Sequence, residues 1–281
     1  MESSMKTNRM IGKVIIYTLL ILSALFILLP LLFLVINSFK GQSEIVRNPL
    51  ALPESWSLSY ITNAIESIHF GKAVMITIGI TVGSVIPTVL FSSVCAWIIT
   101  RNHTKVSTFI YMAFVSAMLV PFQVIMYPLM NVMDTLGLKN QVGLVVMYTG
   151  FNMAMSVFLY SSAIRSVPVA LEEAAFMDGA NVFQIFFLIV FPLIKSSTVT
   201  VIILTGIGIW NDYLLPFLTL GTAPGKTLVL ELYYAKMTAG QYGSPWELIF
   251  PAVLVCCIPL VVVFLCLQKY FVAGMTEGAV K

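Results

Sequence analysis

Five stretches of this chain, residues 14–39, 73–100, 106–133, 140–164 and 248–268, contain no Lys, Arg, Asp or Glu. Each has at least the roughly 20 residues an α-helix needs to cross the hydrocarbon core of a bilayer. A further stretch, 196–220, is interrupted only by Asp212. Backbone N–H and C=O groups have no water to turn to in lipid, so apolar runs of this length are expected to be helices. The expectation is six of them, and an all-α membrane protein. Dividing 281 residues by about 150 per domain would suggest two globular domains, but the composition overrules that count. With 59% hydrophobic and 10% charged residues and a mean hydropathy of +0.98, the chain falls far below the ~25% charge a water-facing surface carries. The same figures exclude a disordered chain, a disulfide scaffold and a nucleic-acid binder.

Orientation follows from where the basic residues fall. With the N-terminus in the cytoplasm, Lys6, Arg9, Lys13, Arg101, Lys105, Arg165, Lys195, Lys269 and Lys281 lie inside, and Lys40, Arg47, Lys72, Lys139, Lys226 and Lys236 lie outside. The excess has the sign of the positive-inside rule, so both termini are predicted to be cytoplasmic. The basic start before the first apolar run imitates a signal peptide. That run is too long for a signal h-region and no small-x-small cleavage site follows it, so a retained helix is expected. Cys95, Cys256, Cys257 and Cys266 fall inside predicted helices and read as packing residues rather than a disulfide or metal framework.

The connections are unequal. Outside, 40–72 and 221–246 are long and 134–139 is short; inside, 101–105 is tight, whereas the segment from Arg165 to Lys195 is long. Local physics divides that segment into two short helices. Pro168 suits a first helical turn, and Glu172 and Glu173 sit early, where the helix dipole favours negative charge. Gly179 supplies a left-handed stop. Asn181 and Gln184 have the spacing of a capping box, and Pro192 bends or ends the second helix. In the first helix Leu171 and Ala175 share a stripe with Ala174 and Asp178 beside it, a small-residue surface flanked by carboxylates. Residues 179–194 as a seventh span would reach only about 24 Å at 1.5 Å per residue, too short to cross.

Glu173-Ala174-Ala175, Gly179, Ile189 and Phe191-Pro192 stand at a spacing that resembles the EAA loop of membrane subunits of binding-protein-dependent ABC importers. The family pattern ends in Leu-Pro, and Phe191 is an apolar replacement. The likeness extends over 72–281 and resembles the maltose-type G subunit of carbohydrate importers. It rests on Pro121 and Pro128, Gly137-Leu138-Lys139-Asn140, the run from Pro168 to Ala180, Trp210-Asn211-Asp212-Tyr213 with Pro216, and the tail Gln268-Lys269-Tyr270-Phe271-Val272 with Gly274 and Gly278-Ala279-Val280-Lys281. The first 70 residues match in hydropathy alone.

This resemblance implies one type I-like transmembrane domain over 1–281, with six transmembrane helices and a cytoplasmic EAA helix-turn-helix at 165–192, between helices 4 and 5. It implies that Glu173, Ala174, Ala175, Asp178 and Gly179 form the surface that couples to an ATPase. The implied partners are a second, maltose-type F-like permease, two ATPase subunits that bind the ATP and Mg, an extracellular sugar-binding protein and membrane lipid, in a bacterial or archaeal inner membrane. The external stretch 221–246 would face the binding protein. No catalytic residue, metal or cofactor is assigned to this chain.

Asp212 is the one ionisable residue within a predicted span, and such residues are candidates for function because their burial in lipid is costly. With Trp210, Asn211 and Tyr213 it offers aromatic faces and hydrogen-bonding groups suited to a sugar, a candidate substrate pathway. Equally, Trp210 and Tyr213 fit an interfacial aromatic belt and Asp212 a cap at a helix break before Pro216. Gly79 and Gly83 form a GxxxG, and Pro87, Pro121, Pro128, Pro251 and Pro259 are expected to kink or shape the spans. The run Gly221 to Thr227 lacks one residue of a phosphate loop and follows a membrane helix, so no nucleotide role is read from it. A secondary transporter, which would need internal repeats and intramembrane charges, is the alternative. An intramembrane enzyme would need paired catalytic groups at depth, and His69 and His103 fall outside the spans.

Overall fold

The computed structural model describes residues 2–240 and 243–279, with side chains described for 12–240, 243–263 and 265. In chain order the elements are α1 (Glu2–Asn37), α2 (Gln42–Arg47), α3 (Ser59–Ser67), α4 (Phe70–Arg101), α5 (Lys105–Ala117), α6 (Phe122–Thr135), α7 (Gln141–Arg165), α8 (Val169–Met177) and α9 (Val182–Gln184). A π-helical segment, Ile185–Val190, runs on into α10 (Phe191–Leu193), followed by α11 (Lys195–Asn211), α12 (Leu214–Leu220), α13 (Leu228–Ala239) and α14 (Trp246–Ala279). No strand occurs among the described residues. Among the described residues four stretches are long and apolar enough to cross a membrane: Gly12–Asn37, Phe70–Arg101, Gln141–Arg165 and Trp246–Val263.

The expected third and fifth spans are not straight helices. α5 and α6 meet at a bend of 103°, because Pro121 has no N–H to continue the ladder and forces Val120 out of helical conformation. The expected span at 196–220 is broken after Asn211, where Asp212 is extended at ψ 131°. Its first half, α11, is joined instead to the short helices before it through a bend of 76° at Ile194. Counting each bent pair as one crossing gives up to six spans. Pro87, Pro128, Pro251 and Pro259 lie inside continuous helices.

Two compact units partition the chain, Met1–Phe70 with Leu232–Pro259 and Gly71–Glu231 with Leu260–Lys281. In the first unit the turn after α1 is fixed by polar side chains that fold inward. Lys40, expected as an ordinary external charge, is fully buried and its ammonium donates to the carbonyls of Asn48 and Ala51. Asn37 Nδ2 donates to Phe33 O at 2.8 Å and Pro49 O at 3.0 Å. Gln42 ties this turn to the start of α14, with its N–H on Glu247 Oε2 at 3.0 Å and its Nε2 on the Ser244 carbonyl at 2.8 Å. Phe250 packs against Phe33 and stacks on Trp246. Along α1 the apolar run is exposed, as suits a surface that meets lipid.

In the second unit, α4 buries a file of small hydroxyl residues. Thr77, Ser84, Thr88 and Ser92 each donate to the carbonyl four residues back, so their oxygens can leave water without an unmet hydrogen bond. Small side chains let neighbouring helices approach closely. A Cβ at Gly83 would lie 3.3 Å from Val145 of α7, whereas one at Gly79 would meet nothing. Only half of the GxxxG is therefore a close contact within this chain.

The turn between α6 and α7 accounts for Gly137-Leu138-Lys139-Asn140. Gly137 at φ 66° closes α6, with Leu138 N–H reaching Met133 O at 2.8 Å and Gly137 N–H reaching Asp134 O at 3.0 Å, a Schellman arrangement. Asn140 then caps α7 by accepting from Gly143 N–H at 3.0 Å. The tail from Gln268 onward lies outside the residues whose side chains are described. Gly83→Val is expected to destabilise the detergent-solubilised protein by about 1–3 kcal/mol through overpacking against α7. Gly79→Ala should be neutral or mildly stabilising, and thermal unfolding followed by fluorescence-detected size exclusion compares the two.

Candidate functional sites at the coupling segment and the Asp212 break

The helix-turn-helix expected at 165–192 forms from α8 at Val169–Met177 to α10 at Phe191–Leu193, with one unforeseen feature. Pro168 stands at the N-cap of α8, which ends in a second Schellman arrangement. Gly179 adopts φ 85°, its N–H reaches Phe176 O at 3.0 Å and Ala180 N–H reaches Ala175 O at 3.0 Å. A side chain at position 179 would find open space but a strained backbone, a penalty of about 1–2 kcal/mol for a left-handed L-residue. Asn181 and Gln184 complete the capping box, with Gln184 N–H on Asn181 Oδ1 at 3.0 Å and Asn181 N–H on Gln184 Oε1 at 2.9 Å. The second helix then widens into the π-helical Ile185–Val190. It ends two residues after Pro192, at Ile194.

The two faces of α8 differ from the expected assignment. Glu173, Ala174, Asp178 and Gly179 are exposed, but Ala175 is buried. Ala175 thus packs against the bundle instead of joining the outward surface. Phe176 and Met177 take that place, 68% and 83% exposed, and together with Glu172 and Glu173 they line a shallow hollow. Neighbouring Val182 and Phe183 are also exposed. Four large apolar side chains are thus exposed within the stretch from Phe176 to Phe183. In the sequence these residues were indistinguishable from the lipid-facing apolar majority.

Glu172 is the residue that sequence reasoning missed most plainly. It turns inward and holds two partners from the end of α4. Arg101 Nε donates to Oε1 at 2.8 Å, with Nη2 2.7 Å from the same oxygen, and Trp97 Nε1 donates to Oε2 at 2.9 Å. Arg101 Nη2 also donates to the Val167 carbonyl at 2.9 Å. A partly buried, charge-assisted pair of this kind is strong, and removing one member strands the other. The separation of 71 residues between the partners left no local signal.

The second site lies where α11 breaks. Asp212 Oδ1 accepts from Leu214 N–H at 2.9 Å, which starts α12, and Oδ2 accepts from the Tyr148 hydroxyl at 2.8 Å. Asp212 is therefore a cap at a helix break. It also borders an open pocket of about 480 Å³. Phe122 and Gln123 of α6, Tyr148, Phe151 and Asn152 of α7, and Asn211 beside the break contribute the aromatic and amide groups. The four residues expected to act together divide. Trp210 is buried and faces an apolar hollow with Ile78, Val82 and Gly206, Tyr213 packs its ring 5.4 Å from Phe217, and only Asn211 and Asp212 line the polar pocket. The helical turn up to Asn211 and the extended Asp212 aim successive side chains in different directions.

Among the described residues no group of three His, Cys, Asp or Glu could hold a metal ion. Cys95, Cys256 and Cys257 are free thiols, and Cys266 lies outside the described side chains. Tyr148→Phe removes a buried donor from Asp212 and is expected to lower stability by about 1–3 kcal/mol. Asn211→Ala removes only the exposed bond from its Nδ2 to the Ile207 carbonyl and leaves both Asp212 bonds in place, so it should alter stability little; thermal unfolding in detergent distinguishes the two.

Comparison with known proteins places these sites in context. The family model described as binding-protein-dependent transport system inner membrane component matches residues 88–277. The chain is 36% identical over 252 residues to the probable starch degradation products transport system permease protein AmyC of Thermoanaerobacterium thermosulfurigenes, covering 90% of this chain and 91% of that one. It is 34% identical over 268 residues to the multiple sugar-binding transport system permease protein MsmG of Streptococcus mutans, covering 94% and 96%. Its fold is similar to a chain in the crystal structure of a bacterial ABC transporter involved in import of the acidic polysaccharide alginate, with a TM-score of 0.78 at 24% identity over 94% of this chain and 98% of that one.

Proposed function

The chain belongs to the binding-protein-dependent transport system inner membrane components, and from that premise we propose that it is the maltose-type, G-like permease subunit of an ATP-driven sugar importer. It is a multi-pass membrane protein whose relatives are transport permeases. The sugar reading is supported by relatives named for starch degradation products and for multiple sugars. A secondary transporter is set aside by the family.

The observation that carries the proposal is the capped helix-turn-helix at 166–194, with Glu173, Phe176, Met177 and Asp178 outward around the glycine stop at 179. In this reading the patch seats on a cytoplasmic ATPase, with Phe176 and Met177 as apolar anchors and Glu173 and Asp178 as charged flanks. Hydrolysis takes place in two ATPase partners, which bind ATP and Mg; this chain supplies no catalytic group. A second permease completes the pathway and an extracellular sugar-binding protein delivers the substrate. Both termini are cytoplasmic. Ligand-driven closure of the ATPases shifts α8 between two positions and so biases the bundle between two access states. The pocket beside Asp212 and Asn211 offers amides and aromatic faces to a passing sugar, and the partner permease shares that role.

Gly179→Asp and Glu173→Lys, each compared with wild type at matched membrane levels, are expected to reduce uptake at least about tenfold, as mutations in a coupling network do. Normal uptake by both would sink the reading. Purification from detergent should bring down an ATPase and a second permease. A lone chain that transports would contradict the proposal, and thermal shifts of the copurified binding protein across a sugar panel would name the substrate.

A further inference from the structure

Among the described residues, the side-chain hydrogen bonds that hold α8 to the rest of its unit come from the last two turns of α4. Trp97 and Arg101 are four residues apart and so share one helix face. Between them they engage both oxygens of Glu172 and the Val167 carbonyl that precedes α8. The Trp97 ring lies 5.2 Å from Phe186, which is buried in the π-helical segment. Both limbs of the helix-turn-helix therefore meet Trp97, and the first limb meets Arg101 as well. From there α4 runs unbroken for 32 residues, about 48 Å at 1.5 Å per residue. Near its other end the Thr77 hydroxyl accepts from Leu228 N–H at 2.9 Å, a buried bond.

We propose that Trp97, Arg101 and Glu172 form a clamp that makes the coupling helix and α4 move as one body, so that displacement of α8 is delivered to the bundle through α4. This rests on the reading of 166–194 as the ATPase-facing segment. Arg101 and Trp97 are positioning residues: they act through Glu172 and touch neither nucleotide nor sugar. The geometry explains why an arginine stands at 101. Its planar fork reaches a carboxylate and a backbone carbonyl together, which a lysine ammonium cannot do in the same directions. The Trp97 indole adds a donor on one edge and an apolar face for Phe186 on the other. Glu172 alone at the start of α8 would be an ordinary dipole-compensating charge. Its two partners turn it into a joint.

The test uses the assembled importer in proteoliposomes, with Arg101→Lys, Trp97→Phe and Glu172→Gln measured against wild type. The clamp predicts complexes that still hydrolyse ATP, with sugar moved per ATP reduced about tenfold. An unchanged ratio in all three variants would overturn it. Spin labels at the exposed positions Asn102 and Ala170, both outside the patch assigned to the ATPase, with the native cysteines replaced by alanine, read the joint directly and without altering the clamp. In the otherwise wild-type complex their separation is expected to stay the same between nucleotide-free and ATP-trapped states; a separation that changes on trapping also overturns the clamp. Should no ATPase assemble with the wild-type chain, the coupling reading itself fails, a result distinct from a coupled complex with a loose joint.

Discussion

Everything in this chain follows from the demand that backbone polar groups be satisfied without water. In the hydrocarbon core that demand admits helices and little else, and it allows a helix to be interrupted only where other polar groups take over. The break at Asp212 meets this condition. Its carboxylate covers the N–H that opens α12 and accepts the Tyr148 hydroxyl. Its two hydrogen bonds stand where the broken ladder gives bonds up. The hydroxyl file on α4 obeys the same demand in the opposite way, because each side chain closes its own bond on the helix that carries it.

What the sequence made legible divides along this line. Charge-free runs identify membrane stretches because hydrophobicity is a property of composition. They do not say whether a run is one helix or two, and so 106–133 and 196–220 were each counted as one span, with a kink at Pro121 expected and a break at Asp212 left as one of two readings; both are broken. Pro121 was visible, but Pro87, Pro128 and Pro251 are equally visible and leave their helices continuous. Whether a proline breaks a helix depends on the neighbours that take up the freed carbonyl, and those neighbours are remote in sequence. The local caps were readable for the converse reason. Gly179, Asn181 and Gln184 act within a few residues of themselves, and the structure gives them the expected conformations.

The faces of α8 mark where local reading ended. Glu172 and Glu173 are adjacent carboxylates, and nothing in the segment says which one turns inward. The choice is made by Arg101 and Trp97, more than 70 residues earlier. Once Glu172 is held, helical geometry places Ala175, three residues on, against the bundle and sends Glu173, Phe176 and Met177 outward. The small-residue stripe that suggested close approach of a partner includes a residue that serves close approach of the chain to itself. Family likeness pointed to the segment, but it did not supply the register of its faces.

The two interrupted spans also explain how a chain so poor in charge gathers polar groups at one place. Bending at Pro121 turns the start of α6 and brings Phe122 and Gln123 to the pocket. The break after Asn211 brings Asp212 to the same pocket, and α7, continuous between its caps, supplies Tyr148, Phe151 and Asn152. Had either span been a straight helix, its ladder would have turned every backbone group inward and left side chains alone to meet a solute. Irregular backbone at membrane depth is tolerated where it lines a cavity, so the breaks and the pocket are one solution to one constraint. The unbroken α4 is the complementary case: Thr77, Ser84, Thr88 and Ser92 close on its own backbone and its end is fixed on Glu172, so its ladder runs on where its neighbours' are interrupted.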